Sequence, residues 1–142
     1  MLSDPDALDR FLDAVFHSSP LPVSVKTRLG MEDAEDWPEL LEIFNRYPLC
    51  RLIVHPRVRS QFYKGSINGE MFRYTAENCK NSLCYNGDLR TKEDISAFSR
   101  AFPEISSVMI GRGLVADPGM LLPGGTDIAL LEAFYEELLQ QY

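Results

Sequence analysis

The stretch LIVHPRVRSQFYKG, Leu52 to Gly65, runs from an apolar strand pattern directly into His55, Arg57, Arg59 and Lys64. Unpaired charge at the end of a packed element is costly, so cations gathered there point to an anion that they serve. Other apolar runs end in the same way. In PVSVKTR the period of two puts Ser24, Lys26 and Arg28 on one face and Val23 and Val25 on the other. LCYNGD closes with Asn86, Gly87 and Asp88, and VMIGRG with Gly111, Arg112 and Gly113. Lysine, histidine, arginine, a carboxamide and glycine-rich turns form a set suited to a phosphate and the polar edge of a ring.

Taken singly, each feature has a plainer reading. A lysine at a strand end is a rim residue, a histidine can be structural, and Asn-Gly is a turn dipeptide. Phe62 and Tyr63 could be core packing or a stacking platform, and the sequence leaves both open. His17 falls at a helix end, where it caps carbonyls. What lifts the set above its members is that all four groups close consecutive strands at the same end.

The elements that must hold these residues alternate between two periods. DPDALDRFLDAVFHS puts Leu8, Phe11, Leu12, Val15 and Phe16 on one helical stripe, with Asp4 as N-cap and Pro5 in the first turn. DWPELLEIFNRY is a second helix, capped by Asp36, with Leu40, Leu41, Phe44 and Tyr47 inward. GEMFRYTAENCK reads as a third, and TKEDISAFSRAF as a fourth with Thr91 and Asp94 at capping-box spacing. ADPGMLL is a turn, with Pro118 suited to a helix start, and TDIALLEAFYEELLQQY is a long amphipathic helix. The strands LPVSVKTRLG, CRLIVHP, NSLCYNGD and ISSVMIGRG fall between them. This alternation predicts an α/β fold with a parallel sheet, in which ligands bind beyond the carboxyl ends of the strands.

Composition narrows the function classes. The chain has 142 residues, 45% of them hydrophobic, and a formal net charge of −7. That charge argues against wholesale coating of nucleic acid, which needs a positive face, but allows a local basic mouth. Apolar runs fall short of the roughly 20 residues that cross a bilayer, and no signal peptide is visible, so the expectation is a cytoplasmic protein without membrane contact. Cys50, Cys79 and Cys84 form no CxxC pair and read as reduced thiols, and no metal site is expected.

In order along the chain, PVSVKTRLG, LIVHPRVRSQFYKG, YNGDL and VMIGRGLVADP resemble the second half of the tRNA-dihydrouridine synthase family, over roughly Pro20 to Leu122. The resemblance implies an FMN-dependent TIM barrel followed by a helical domain, and reduction of uridine in tRNA with NADPH regenerating the flavin. It implies a parallel (βα)4 half barrel over residues 1–122, resembling strands five to eight, and a helix over 123–142 that begins the helical domain. Position by position, Lys26, His55, Asn86, Gly87, Asp88, Gly111 and Arg112 resemble the FMN contacts. Arg57, Arg59, Tyr63 and Lys64 fall where the family's loop approaches flavin and substrate RNA. The family's catalytic cysteine has no counterpart among the motifs matched here, so no catalytic residue is assigned and the chain reads as a fragment inactive alone. The rival readings are another FMN-dependent TIM-barrel oxidoreductase and a non-catalytic phosphate-binding or assembly module. A half barrel leaves two open sheet edges, from which a homodimer that covers them is expected.

Overall fold

Asp4 opens the first helix as expected: its carboxylate accepts from the Ala7 N–H at 2.9 Å, and Pro5 sits where a missing N–H costs nothing. A computed structural model of the chain describes residues 1–141; the last residue of the expected C-terminal helix, Tyr142, lies outside the described residues. Helix α1 (Pro5–Ser18) buries Leu8 and Leu12 but leaves Phe11, on the same stripe, about half exposed. Then follow β1 (Ser24–Arg28), α2 (Trp37–Phe44), β2 (Arg51–His55), α3 (Gly69–Asn78), β3 (Leu83–Tyr85), α4 (Lys92–Ala101), α5 (Arg112–Ala116) and α6 (Ile128–Gln141).

The three strands make one parallel sheet in the order β1-β2-β3. Lys26 pairs with Ile53 and Arg28 with His55, while Ile53 pairs with Cys84 and Val54 with Tyr85. This is the α/β architecture of a partial barrel, with one difference from expectation. The segment expected as a fourth strand contributes a single parallel bridge, Tyr85 to Val108. Two bonds frame it, Tyr85 N–H to the Ser107 carbonyl at 3.2 Å and Met109 N–H to the Tyr85 carbonyl at 2.7 Å.

The core lies on one side of this sheet. Leu52 and Val54 are fully buried, as are Leu40, Leu41 and Phe44 of α2 and Phe72 of α3. Each such side chain contributes roughly 1.5–3 kcal/mol of hydrophobic stabilisation. Trp37 is sealed among them, and its indole N–H donates to Thr75 Oγ1 at 2.7 Å, so its polar atom is satisfied. The expected cap Asp36 sits at the α2 N-cap with helical backbone angles and makes no capping bond. Tyr47, expected in the core, is only half-buried; burial, joined by the hydrogen bond of its hydroxyl to Asp9, pushes its pKa up to about 12.

Packing groups the chain into two units. One holds Met1–Gly87 and Phe102–Met109, the other Asp88–Ala101 and the chain from Ile110 onward. The expected division after Leu122 falls inside the second. There, α4 carries the predicted capping box between Thr91 and Asp94, and α5 begins at Arg112, before the turn at Pro118 where a helix start was expected.

Candidate functional site

In the first unit the parallel register decides which side chains meet. Because Arg28 pairs with His55, and Lys26 with Ile53 and through it Cys84, all of these share one face of the sheet. The Asn86 N–H continues the ladder by donating to the Val54 carbonyl at 2.9 Å, which places Asn86 in the row of Arg28 and His55. Lys26 stands one row behind. Among the described residues no hydrogen bond or ion pair engages the Lys26 ammonium. Burial pushes its pKa below the ordinary value, and the Arg28 charge pushes it the same way. Two cations and an imidazole therefore crowd the carboxyl end of this sheet, which is electrostatically arranged for an electron-rich ligand.

The loop after β2 folds back over this end. Arg28 Nη1 donates to the Val58 carbonyl at 2.9 Å, and its guanidinium lies 5.5 Å from the centre of the Tyr63 ring. The Tyr63 ring is 6.2 Å from that of His55. Gln61 Oε1 accepts from the Val58 N–H, and the Lys64 N–H donates to the Gln61 carbonyl at 2.8 Å. These bonds hold Phe62 at φ 50°, a left-handed conformation that costs a bulky residue about 1–3 kcal/mol. Phe62 and Tyr63 are both well exposed, which settles the open alternative against core packing.

Arg59 and Lys64 project into solvent, but Arg57, expected to reach toward RNA, turns inward and is 1% exposed. Its Nη2 donates to the Gly65 carbonyl at 2.6 Å and its Nη1 lies 3.2 Å from His55 Nε2. Arg28 joins the site by register although only its face, and no role, was legible in the sequence.

Asn86 Nδ2 donates to the Met109 carbonyl at 2.8 Å, tying β3 to the fourth segment. Gly87 is required by space, since a Cβ there would run into the Tyr85 ring. In the second unit, Arg112 Nη2 donates to Asp88 Oδ1 at 2.8 Å, a half-exposed ion pair. A side chain at Gly111 would meet nothing within 4 Å, whereas one at Gly113 would approach the Leu89 carbonyl oxygen to 2.5 Å, so the second glycine of Gly-Arg-Gly serves packing. His17 caps its helix as expected, with Nδ1 2.8 Å from the Asp13 carbonyl oxygen. Cys84 is buried, and burial pushes the Cys79 thiol up. Among the described residues no cluster of His, Cys, Asp and Glu could hold a metal, and no helix is long and apolar enough to cross a membrane.

The model of the family described as Dihydrouridine synthase (Dus) matches residues 1–128. The chain belongs to the dihydrouridine synthase family. Its relatives agree. It is 29% identical over 126 residues to a probable tRNA-dihydrouridine synthase of Rickettsia bellii, covering 85% of this chain and 37% of that protein. It is 30% identical over 124 residues to the tRNA-dihydrouridine(16) synthase of Cupriavidus necator, covering 86% and 38%. For tRNA-dihydrouridine synthase B of Pasteurella multocida the values are 26% over 119 residues, 83% and 36%. The chain thus spans little more than a third of the length of these relatives. Neither rival reading, another flavin barrel or a non-catalytic module, is favoured by these matches.

Proposed function

We propose that the chain supplies the flavin-binding strand ends of a tRNA-dihydrouridine synthase, an oxidoreductase that reduces uridine in tRNA. The observation that carries this reading is the register that puts Lys26, Arg28, His55 and Asn86 on one face at the carboxyl end of a family-matched sheet. Such a donor set fits FMN: cations for its electron-rich edge, an imidazole beside the ring and a carboxamide in the same row. Lys26, His55, Asn86 and Gly87 are the proposed contacts of the first unit. Asp88, Gly111 and Arg112 are those of the second, with Gly111 and Arg112 assigned by family resemblance to the phosphate side.

When bound, FMN would supply hydride to the uracil ring, after reduction by NADPH. The residues of this chain bind and orient; the proton that completes the reduction requires a donor, and neither buried Cys84 nor Cys79, whose thiol burial holds protonated, lies in a motif matching the family's cysteine. The chain is therefore inactive by itself in this reading. Tyr63, Arg59 and Lys64, exposed on the loop, are the proposed RNA-side residues, with tRNA binding weak and steeply salt-dependent because the net charge is −7. Residues 123–142 begin a helical domain, and the protein works in the cytoplasm.

A homodimer is proposed to cover the open sheet edge. β1 is an edge strand, and a cavity of about 620 Å³ beside it is lined by Leu8, Phe11, Val23, Lys26 and Arg28 among others. Light scattering at micromolar concentration should give about twice 16.1 kDa; a clean monomer removes this part.

The central test is titration of FMN into the 142-residue chain, followed by flavin fluorescence. Quenching that saturates in the wild type and weakens about tenfold or more in Lys26→Ala is expected. FMN that binds neither protein, or both equally, overturns the assignment.

A further inference from the structure

Arg57 turns inward where its position in the motif sends it outward, and what it touches explains why. Pro56 sets the backbone into a tight reversal in which the Arg57 N–H donates to the His55 carbonyl at 2.7 Å. The Arg57 carbonyl in turn accepts from the Leu29 N–H at 3.1 Å. Anchored on both sides, the residue lays its guanidinium back over the imidazole, with Nη1 3.2 Å from His55 Nε2 and Nη2 on the Gly65 carbonyl at 2.6 Å. Both side chains are nearly out of water, His55 at 6% exposure.

A guanidinium carries only N–H donors, has no acceptor and does not lose its proton. The nitrogen that faces it at hydrogen-bond distance must therefore offer a lone pair. In a neutral imidazole one nitrogen is bare and the other protonated, and the bond made by one sets the state of the other. We propose that Arg57 is a positioning residue that holds His55 as the neutral Nδ1–H tautomer, so that the ring serves the strand-end site as a hydrogen-bond donor and not as a base. The Nε2–H tautomer and the imidazolium would both set N–H against N–H at this distance. The fork of the guanidinium matters, since two nitrogens in fixed geometry reach His55 and Gly65 together. A lysine ammonium is one point of charge and lacks that second fixed arm.

The chemical consequence is directional. A histidine that only donates suits a carbonyl oxygen or a bare ring nitrogen of a bound heterocycle, and it cannot abstract a proton. The tautomer rests on the protein's own geometry; its use toward a flavin acceptor rests on the function proposed above.

Only two histidines occur in the chain, so the imidazole spectrum is simple. Long-range proton–nitrogen correlation on the nitrogen-15-labelled chain, at neutral pH and without flavin, reads the tautomer directly, with His17→Gln assigning the other ring. His55 is expected to show a protonated Nδ1 and a bare Nε2, and Arg57→Lys is expected to bring in an Nε2–H population. A wild-type ring that is Nε2–H or doubly protonated overturns the proposal, as does an unchanged tautomer in a folded Arg57→Lys protein. If that variant does not fold, the wild-type spectrum decides alone. Failure of FMN to bind while the Nδ1–H form is present removes the flavin reading and leaves this inference standing.

Discussion

Helices α2 and α6 are both rich in apolar residues, and the protein treats them oppositely. In α2, eight residues long, Trp37, Leu40, Leu41, Ile43 and Phe44 are all buried. In α6, fourteen residues long, none is, and Leu130, Phe134, Tyr135 and Leu139 each expose more than half their surface. The difference lies in the surroundings and in the pattern, since the apolar residues of α6 are less sharply gathered on one face than those of α2. α2 packs beside α1 and α3 in the unit that holds the sheet, and its apolar face has somewhere to go. A hydrophobic stripe states what a helix can bury; burial itself needs a second surface.

The sharpest way to break this comparison is to remove one large side chain from each helix. Trp37→Ala should cost about 3–5 kcal/mol in chemical denaturation, enough to unfold a marginal domain. Phe134→Ala should change stability by less than about 0.5 kcal/mol. Equal losses would mean that α6 is covered in solution.

Arg112 lies in the same unit as α6, and its role should separate binding from stability. Its half-exposed pair with Asp88 is worth little to folding, about 0–1 kcal/mol. Arg112→Ala should nevertheless weaken FMN or phosphate binding by about 1.5–3 kcal/mol, measured by calorimetry beside a melting curve that barely moves. Unchanged affinity would move the phosphate site elsewhere.

Within the core, the bond from Trp37 to Thr75 gives a finer cut. Thr75→Val keeps the shape and strands a buried indole N–H, which should cost roughly 1–3 kcal/mol. A neutral outcome would show that packing alone fixes the tryptophan.

How much of this was legible follows from the range of the forces involved. Asp4 with Pro5, and Thr91 with Asp94, are local pairs three residues apart or closer, and both formed as the spacing predicts. The strand-end faces were legible by alternation, because a period of two needs no partner to be read. The register was not: that Arg28 lies opposite His55 depends on two segments distant in sequence. Nor was the inward turn of Arg57, since arginine is seldom buried and its compensation comes from the Gly65 carbonyl and His55. The fourth strand looked regular over ISSVMIGRG, yet pairing depends on a distant partner, and this segment joins β3 through the single bridge from Tyr85 to Val108. Asp36 stood at the right place for a cap, but helical backbone angles there keep its carboxylate from bonding the first turn.

The smallest effect tests a local pair of the kind that the sequence did reveal. Asp94 Oδ2 accepts from the Arg90 and Thr91 N–H groups at 2.9 and 3.0 Å, while Thr91 Oγ1 accepts from the Asp94 N–H at 3.1 Å. The bond from the Arg90 backbone is the largest cause holding this carboxyl below the ordinary aspartate range, with burial opposing it and the Thr91 bonds adding to it. A depressed value in the folded state means that the stabilisation is complete above the unfolded pKa and is lost as pH falls through the folded one. Asp94→Ala should therefore cost roughly 0.3–1.5 kcal/mol at neutral pH and progressively less in acid, where the wild type loses the same contribution. Denaturation of both proteins across that range measures the gap between them, and a gap that stays constant or widens as the pH drops would show that the carboxylate bonds do not hold the start of α4.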